Sequence, residues 1–225
     1  MIDFYYSLAP NPKKVALCLE EMGLPYRPLV VDTKRGEQFS PEYTALNPNN
    51  KVPCIVDGDA VVFDSNAILL YLAEKTGLFL TPDDPKSRGE LLSWLMFVAT
   101  GVGPYFGQSV HFRHWAPEPK DYAETRYLFE ARRHLGIVDA RLADREHLVG
   151  ETYTIVDMAL WGWARLAPHV VGDEAWDDFP NVKRFVDRIG ARPAAQRAEA
   201  LGTGQFKMET DNEARRFLYR HAVAG

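Results

Sequence analysis

The hydrophobic period of the chain changes once, at residues 81–87 (TPDDPKS), and this limits the fold to two unlike halves in series. Before that point short β-rich runs alternate with helical ones. Residues 2–6 (IDFYY) form an apolar and aromatic run closed by Ser7-Leu8-Ala9-Pro10, a strand pattern. A helix is expected next: Asn11 is a favoured N-cap, Pro12 suits a first helical position, Val15, Cys18, Leu19 and Met22 recur at helical spacing, and Gly23 supplies a stop. Residues 26–31 are a second β-rich run, so a single helix joins two strands that must be parallel. After a short helix near residues 41–45, residues 52–56 and 60–63 flank Asp57-Gly58-Asp59 as a hairpin. Asp64-Ser65 can cap a further helix carrying Ile68, Leu69 and Leu72 and ending at Gly77. The order is βαβ, then ββα.

Beyond residue 86 the period is helical. Leu91, Leu92, Leu95, Met96 and Val98 form one face, with Gly101, Gly103 and Pro104 placed to bend or end that helix. Residues 122–142 make a long helix, and Thr154-Ile155-Val156-Asp157 is a capping box with Asp in the usual Glu position. Residues 182–189 form another, stopped before Pro193; the tail after Gly202 is polar and reads as a mobile end. The expected class is α/β followed by all-α: domain 1–80, linker 81–87, helical domain 88–202 and tail 203–225.

Composition narrows the function. At 225 residues, 46% hydrophobic and 25% charged, the chain has the make-up of a globular protein. The first 85 residues hold 7 of the 26 basic and 12 of the 31 acidic side chains, so the whole net charge of −5 lies there and a nucleic-acid binder is disfavoured. Two cysteines, Cys18 and Cys54, exclude a disulfide scaffold, a CxxC pair and a multi-cysteine zinc site. With no charged leader and no long apolar window, a cytoplasmic protein without membrane or nucleic-acid partners is expected.

Three stretches carry a family resemblance. Asn47-Pro48-Asn49-Asn50-Lys51-Val52-Pro53 with the hairpin and Phe63-Asp64-Ser65-Asn66-Ala67-Ile68 resembles the glutathione-recognition region of glutathione transferases. Tyr153-Thr154-Ile155-Val156-Asp157 is similar to their C-terminal-domain capping motif, and Ile189-Gly190-Ala191-Arg192-Pro193 to their last conserved helix ending. Asn11, Gly36-Glu37-Gln38-Phe39, Gly107-Gln108 and His111-Phe112 resemble the bacterial nu class, the glutathione-dependent disulfide-bond oxidoreductases, and its fungal relatives. The resemblance implies a thioredoxin-like first domain, a homodimer, glutathione as co-substrate with no metal, and reduction of small disulfides and peroxides. One departure is Ala9, where similar proteins often carry Thr or Ser; Ser7 is a weak substitute.

The resemblance also assigns roles. Asp64 would hold the ligand's ammonium, and Ser65 with the helix start behind it the γ-glutamyl carboxylate; alone, an Asp-Ser pair is more often a plain cap. Pro53 would be cis, turning the backbone of Val52 outward to pair with the ligand as an added strand. Gln38, Lys51 and Arg133 would meet its other polar groups, although each alone reads as a solvated side chain. Asn11, as cap, would spend its carbonyl oxygen on an inner N–H and leave its amide N–H for the sulfur, where Asp would repel a thiolate. A hydrogen bond to a charged group is worth roughly 1.5–3 kcal/mol, hence about 1–2 pKa units. A thiol moved from about 8.5 to about 6.5 goes from about 3% to about 75% thiolate at pH 7. That sulfur could attack a disulfide, a peroxide or an electrophilic carbon with no protein base.

Tyr105, Phe106, His111, Phe112 and Trp115 would line the second-substrate pocket. His111 and His114 are an HxxH pair lacking a third ligand, Cys18 reads as a core thiol, Cys54 as a strand residue facing away from the ligand, and Tyr5 and Tyr6 as strand residues. Two alternatives stay open: conventional S-conjugation to electrophiles, and a transferase-like interaction module with little catalysis.

Overall fold

The computed structural model describes residues 1–219, in two compact units: residues 1–72 with the chain from 194 onward, and residues 73–193. The first contains β1 (Ile2–Tyr6), α1 (Pro10–Met22), β2 (Tyr26–Val30), α2 (Pro41–Leu46), β3 (Cys54–Asp57), β4 (Ala60–Phe63) and the start of α3 (Ser65–Thr76). The strands form one sheet in the order β2-β1-β3-β4; β2 is parallel to β1, and β3 and β4 run antiparallel to their neighbours. Phe4 and Ile55 on the sheet and Val15, Leu17, Cys18 and Leu19 on α1 are completely buried. The expected βαβ–ββα order is therefore present.

Strand register decides where the connections meet. Tyr6 lies opposite Val30, Tyr5 opposite Cys54, and Cys54 opposite Phe63. The last residues of β1, β2 and β4 and the first of β3 thus share one end of the sheet. The turn into α1, the loop after β2, the Val52-Pro53 step and the start of α3 all leave from that end.

The start of α1 differs from its sequence reading. Its N-cap is Ala9, which makes no side-chain cap, and Pro10 takes the first helical position, so Asn11 stands second and Pro12 third. Both prolines fall among the first four residues, whose N–H groups have no intrahelical partner, so neither interrupts the ladder. The stop at Gly23 is as expected: φ is +62° and its N–H returns to Glu20 and Leu19 carbonyls.

The second unit holds α4 (Pro85–Phe97), α5 (Gly103–Val110), α6 (Asp121–Arg141), α7 (Ile155–Ala164), α8 (Ala167–Val171), α9 (Ala175–Asp178) and α10 (Pro180–Gly190). Two five-residue π turns, Val98–Val102 and His111–Trp115, flank α5. The first admits His134: a Cβ on Gly101 would lie 2.5 Å from the ring Nε2. Every residue of α7 is buried, and its capping box is complete. Ile68, Leu69, Leu72, Leu91, Leu95 and Val98 are buried within the single chain, and Met96 on α4 stays 45% exposed.

Beyond this unit the described residues form α11 (Pro193–Ala200) and α12 (Asn212–Leu218), and part of the segment around them is fastened to the first unit. The buried Lys13 ammonium donates to the carbonyls of Ala198, Glu199 and Leu201 at 2.7, 2.9 and 3.1 Å. The Lys207 N–H donates to Asp32 at 2.9 Å, and Phe206 meets Tyr6 edge-on. Residues 220–225 of the expected tail lie outside the described residues. No helix among the described residues is long and apolar enough to cross a membrane.

Candidate glutathione site

At the shared end of the sheet Val52-Pro53 is a cis peptide, as the resemblance implied. Val52 packs against the cluster of Val31, Tyr43 and Cys54, which holds the step in place. The approach is stiffened by hydrogen bonds to the Lys51 carbonyl from the Tyr43 hydroxyl at 2.6 Å and the Asn47 amide at 2.7 Å. Thus Asn47 braces the strand, while Lys51 itself is exposed.

Asp64 follows β4 with φ at +71°, a left-handed conformation that Asp tolerates better than most residues. This turn aims its carboxylate back over α3, where Oδ1 accepts from the N–H groups of Asn66 at 2.8 Å and Ala67 at 3.2 Å. Asp64 is exposed, so one carboxylate both caps the helix and presents charge to solvent. Ser65 and Asn66 beside it are only 3% and 4% exposed, and the Asn66 side-chain oxygen has no hydrogen-bond partner among the described residues.

Beneath Ser65 lies a residue that sequence reading missed. Lys14 is 1% exposed, and its ammonium approaches the Ser65 hydroxyl oxygen at 3.4 Å. Burial pulls its pKa from the usual 10.5 to about 8, with the Asp64 charge acting in the opposite direction. The contact ties α1 to the start of α3. Asn11, half-buried and one turn before Lys14, shares its helix face.

The remaining candidates separate. Gln38 is buried in the loop after β2; its amide donates to the Thr33 carbonyl at 3.2 Å and its own side-chain oxygen is unpartnered among the described residues. Ser7 accepts from the Ala9 N–H at 3.3 Å, so its hydroxyl oxygen already serves the turn. Arg133 belongs to the helical unit, where Glu130 holds its guanidinium at 2.8 Å. In that unit Tyr105, His111, Phe112 and Trp115 are half-buried. Phe106 is completely buried and edge-on to Trp163, so it belongs to the core rather than to an open pocket lining. His114 stacks on His169 with ring centroids 4.2 Å apart; among the described residues no three His, Cys, Asp or Glu side chains are grouped to hold a metal.

Protein sulfur is withdrawn from this chemistry. Cys18 and Cys54 are free and fully buried; burial pushes the Cys54 thiol up to about 11 and Cys18 further. Burial also raises the phenols of Tyr5 and Tyr6, away from the ionised form.

Residues 9–75 match the family model for the N-terminal domain of glutathione S-transferase, and residues 96–193 the model for its C-terminal domain. The Escherichia coli disulfide-bond oxidoreductase YfcG is 43% identical over 88% of this chain and 94% of its own, and YghU from the same organism 37% over 87% and 73%. A Pseudomonas putida glutathione transferase, crystallised with one glutathione disulfide per subunit, superposes with a TM-score of 0.83 at 36% identity, covering 89% of this chain and 91% of that one. A Burkholderia graminis transferase with two glutathione molecules per subunit gives 0.82 at 39%, covering 89% and 88%. Two domain matches in series and relatives of this extent make the chain a member of the glutathione transferase superfamily.

Proposed function

We propose that the protein is a glutathione-dependent enzyme that reduces small disulfides through a glutathione thiolate held at the start of α1. The supporting observation is the convergence of Asn11, Val52-Pro53 and Asp64-Ser65 at one end of a four-stranded sheet. The site fits glutathione group by group. Asp64 pairs with the ammonium; Ser65 and the N–H groups opening α3 bind the γ-glutamyl carboxylate; the Val52 backbone pairs with the cysteinyl unit; Gln38 and Lys51 serve the remaining polar groups. The sulfur then lies at the first turn of α1, where the Asn11 amide and the positive helix end favour thiolate over thiol. That thiolate attacks one sulfur of the disulfide and expels the other as a thiolate; a second glutathione attacks the mixed disulfide, leaving glutathione disulfide and two reduced thiols.

In this reading Arg133 serves a polar group of the ligand, Tyr105, His111, Phe112 and Trp115 of the helical unit serve the second substrate, and the working form is a homodimer. Its place is the cytoplasm, where two unpaired cysteines stay reduced. Relatives named as disulfide-bond oxidoreductases favour disulfide reduction over peroxide reduction or S-conjugation.

The test is calorimetric titration with glutathione and its disulfide, then specificity constants for a small disulfide and an aromatic electrophile. Micromolar to low-millimolar binding with faster disulfide turnover is expected. No binding at millimolar concentration would favour a non-catalytic module, and faster conjugation would reverse the ranking.

A further inference from the structure

We infer that Lys14 is a positioning residue for glutathione: its buried ammonium orients the Ser65 hydroxyl so that Ser65 donates to the γ-glutamyl carboxylate. The inference rests on the glutathione site proposed above and adds to it a residue that touches no ligand atom.

The geometry carries the argument. A lysine with its whole side chain out of water is costly unless its charge is met. Among the described residues no carboxylate lies within ion-pair distance of Lys14, and its only hydrogen-bond partner is the neutral Ser65 oxygen at 3.4 Å. An ammonium has donors and no acceptor, so it must occupy a lone pair of that hydroxyl. The Ser65 proton is then turned away from Lys14, and Ser65 opens α3, where helix N–H groups also point outward. A hydroxyl fixed as a donor, above a buried positive charge, selects an anion. The carboxylate that completes the arrangement is the ligand's, because the Asp64 Oδ1 is committed to Asn66 and Ala67.

Lys13 beside it shows the contrast. It is as deeply placed, yet its ammonium is satisfied by three backbone carbonyls at the end of α11. Lys13 fastens the end of α11 to α1, whereas Lys14 has an incomplete partner set facing the ligand position.

The experiment measures binding of glutathione and of γ-aminobutyryl-cysteinyl-glycine, the same tripeptide without the α-carboxylate, to wild type, Lys14→Met and Ser65→Ala. Wild type should prefer glutathione at least ten-fold. Lys14→Met should reduce that preference to within about two-fold by weakening glutathione alone, raising KM for glutathione and leaving kcat at saturation within about three-fold. Equal losses for both ligands in a folded Lys14→Met protein would make the lysine merely structural and overturn the inference, as would an unchanged preference. If Lys14→Met does not fold, Ser65→Ala decides: the preference must collapse there too, and its persistence overturns the inference. Wild type that binds neither peptide refutes the glutathione reading itself, a result distinct from wild type that binds and a Lys14 variant that discriminates normally.

Discussion

The starts of α3 and α7 use the same side-chain chemistry for opposite ends. Each has an aspartate and a hydroxyl residue at or beside its first turn, and in each the carboxylate accepts from backbone N–H groups. At α7 the set is closed. Asp157 is wholly buried, its Oδ1 takes the Leu148 N–H at 2.9 Å, and its Oδ2 takes the Thr154 N–H at 2.8 Å and the Thr154 hydroxyl at 3.2 Å. At α3 the cap is exposed, its Asp stands in a left-handed turn, and a buried lysine lies below its serine. A cap whose partners are all internal serves structure; one with charge toward solvent, and a buried ammonium with a single neutral hydrogen-bond partner beneath it, is open to the ligand proposed above.

Breaking the closed cap should have the largest effect. Asp157→Ala strands two buried N–H donors at about 1–3 kcal/mol each and removes a cap worth about 1 kcal/mol, so a loss of about 3–7 kcal/mol is expected by chemical denaturation. The surviving folded fraction should keep its KM for glutathione. Asp157→Asn sharpens the point through pH. Burial, partly offset by backbone hydrogen bonds, lifts the Asp157 carboxyl from 3.8 to about 6 in the folded state. The folded protein therefore binds this proton more tightly than the unfolded chain; the contribution is complete below about pH 4 and is lost as pH rises through about 6. At about 1.4 kcal/mol per unit, wild-type stability relative to Asp157→Asn should fall by about 3 kcal/mol across that window and be flat above it. A flat difference throughout would show that the carboxyl does not titrate there.

The open end breaks in activity rather than stability. In the proposed mechanism Asn11→Ala removes the amide offered to the sulfur, at the second position of a helix whose N-cap is Ala9 and whose first residue is Pro10. Losing a hydrogen bond to a charged group of about 1.5–3 kcal/mol predicts a fall in disulfide turnover of about ten- to a hundred-fold, and a thiol pKa of bound glutathione about 1–2 units higher, read from thiolate ultraviolet absorbance. Unchanged rates would remove Asn11 from the mechanism.

These differences explain what could be read without coordinates. Both caps were visible as Asp64-Ser65 and Thr154-Ile155-Val156-Asp157, because a cap is written in adjacent residues, and the strands and the stop at Gly23 were visible for the same reason. The start of α1 was displaced by two residues because two prolines compete for the first helical position and Asn11 looks like the better cap. Lys13 and Lys14 could not be read at all. Adjacent lysines on a helix look solvent-facing, and their partners lie 185 and 51 residues away. The contacts of the tail were equally hidden, because Gln205 meets Tyr6 and the Lys207 N–H meets Asp32 only after folding.

A smaller effect is expected from the charge at the open cap. Asp64→Asn keeps an oxygen for the Asn66 and Ala67 N–H groups and removes the negative charge offered to the ligand's ammonium. With Asp64 exposed, the pair is worth about 1 kcal/mol, so KM for glutathione should rise about five-fold with kcat and thermal stability close to wild type. A large loss of stability instead would mean that this carboxylate is as structural as Asp157, and the contrast between the two helix starts would disappear.

The smallest effect tests whose sulfur reacts. Cys18 and Cys54 are the only cysteines, both completely buried and both with thiols held well above the range in which a thiolate forms at neutral pH. The double variant Cys18→Ala with Cys54→Ala trims two core atoms and should cost about 1–3 kcal/mol of stability. Disulfide turnover at saturating glutathione should nevertheless stay within about two-fold, because the nucleophile arrives with the ligand and each electron pair passes between small thiols. Cys54 is the sharper half of the test, since it directly follows the cis Val52-Pro53 step on which the ligand backbone would pair. If Cys54→Ala alone abolished turnover while preserving glutathione binding, the protein would have to form a mixed disulfide of its own, and the open end of the sheet would present a reactive thiol rather than a cradle for one.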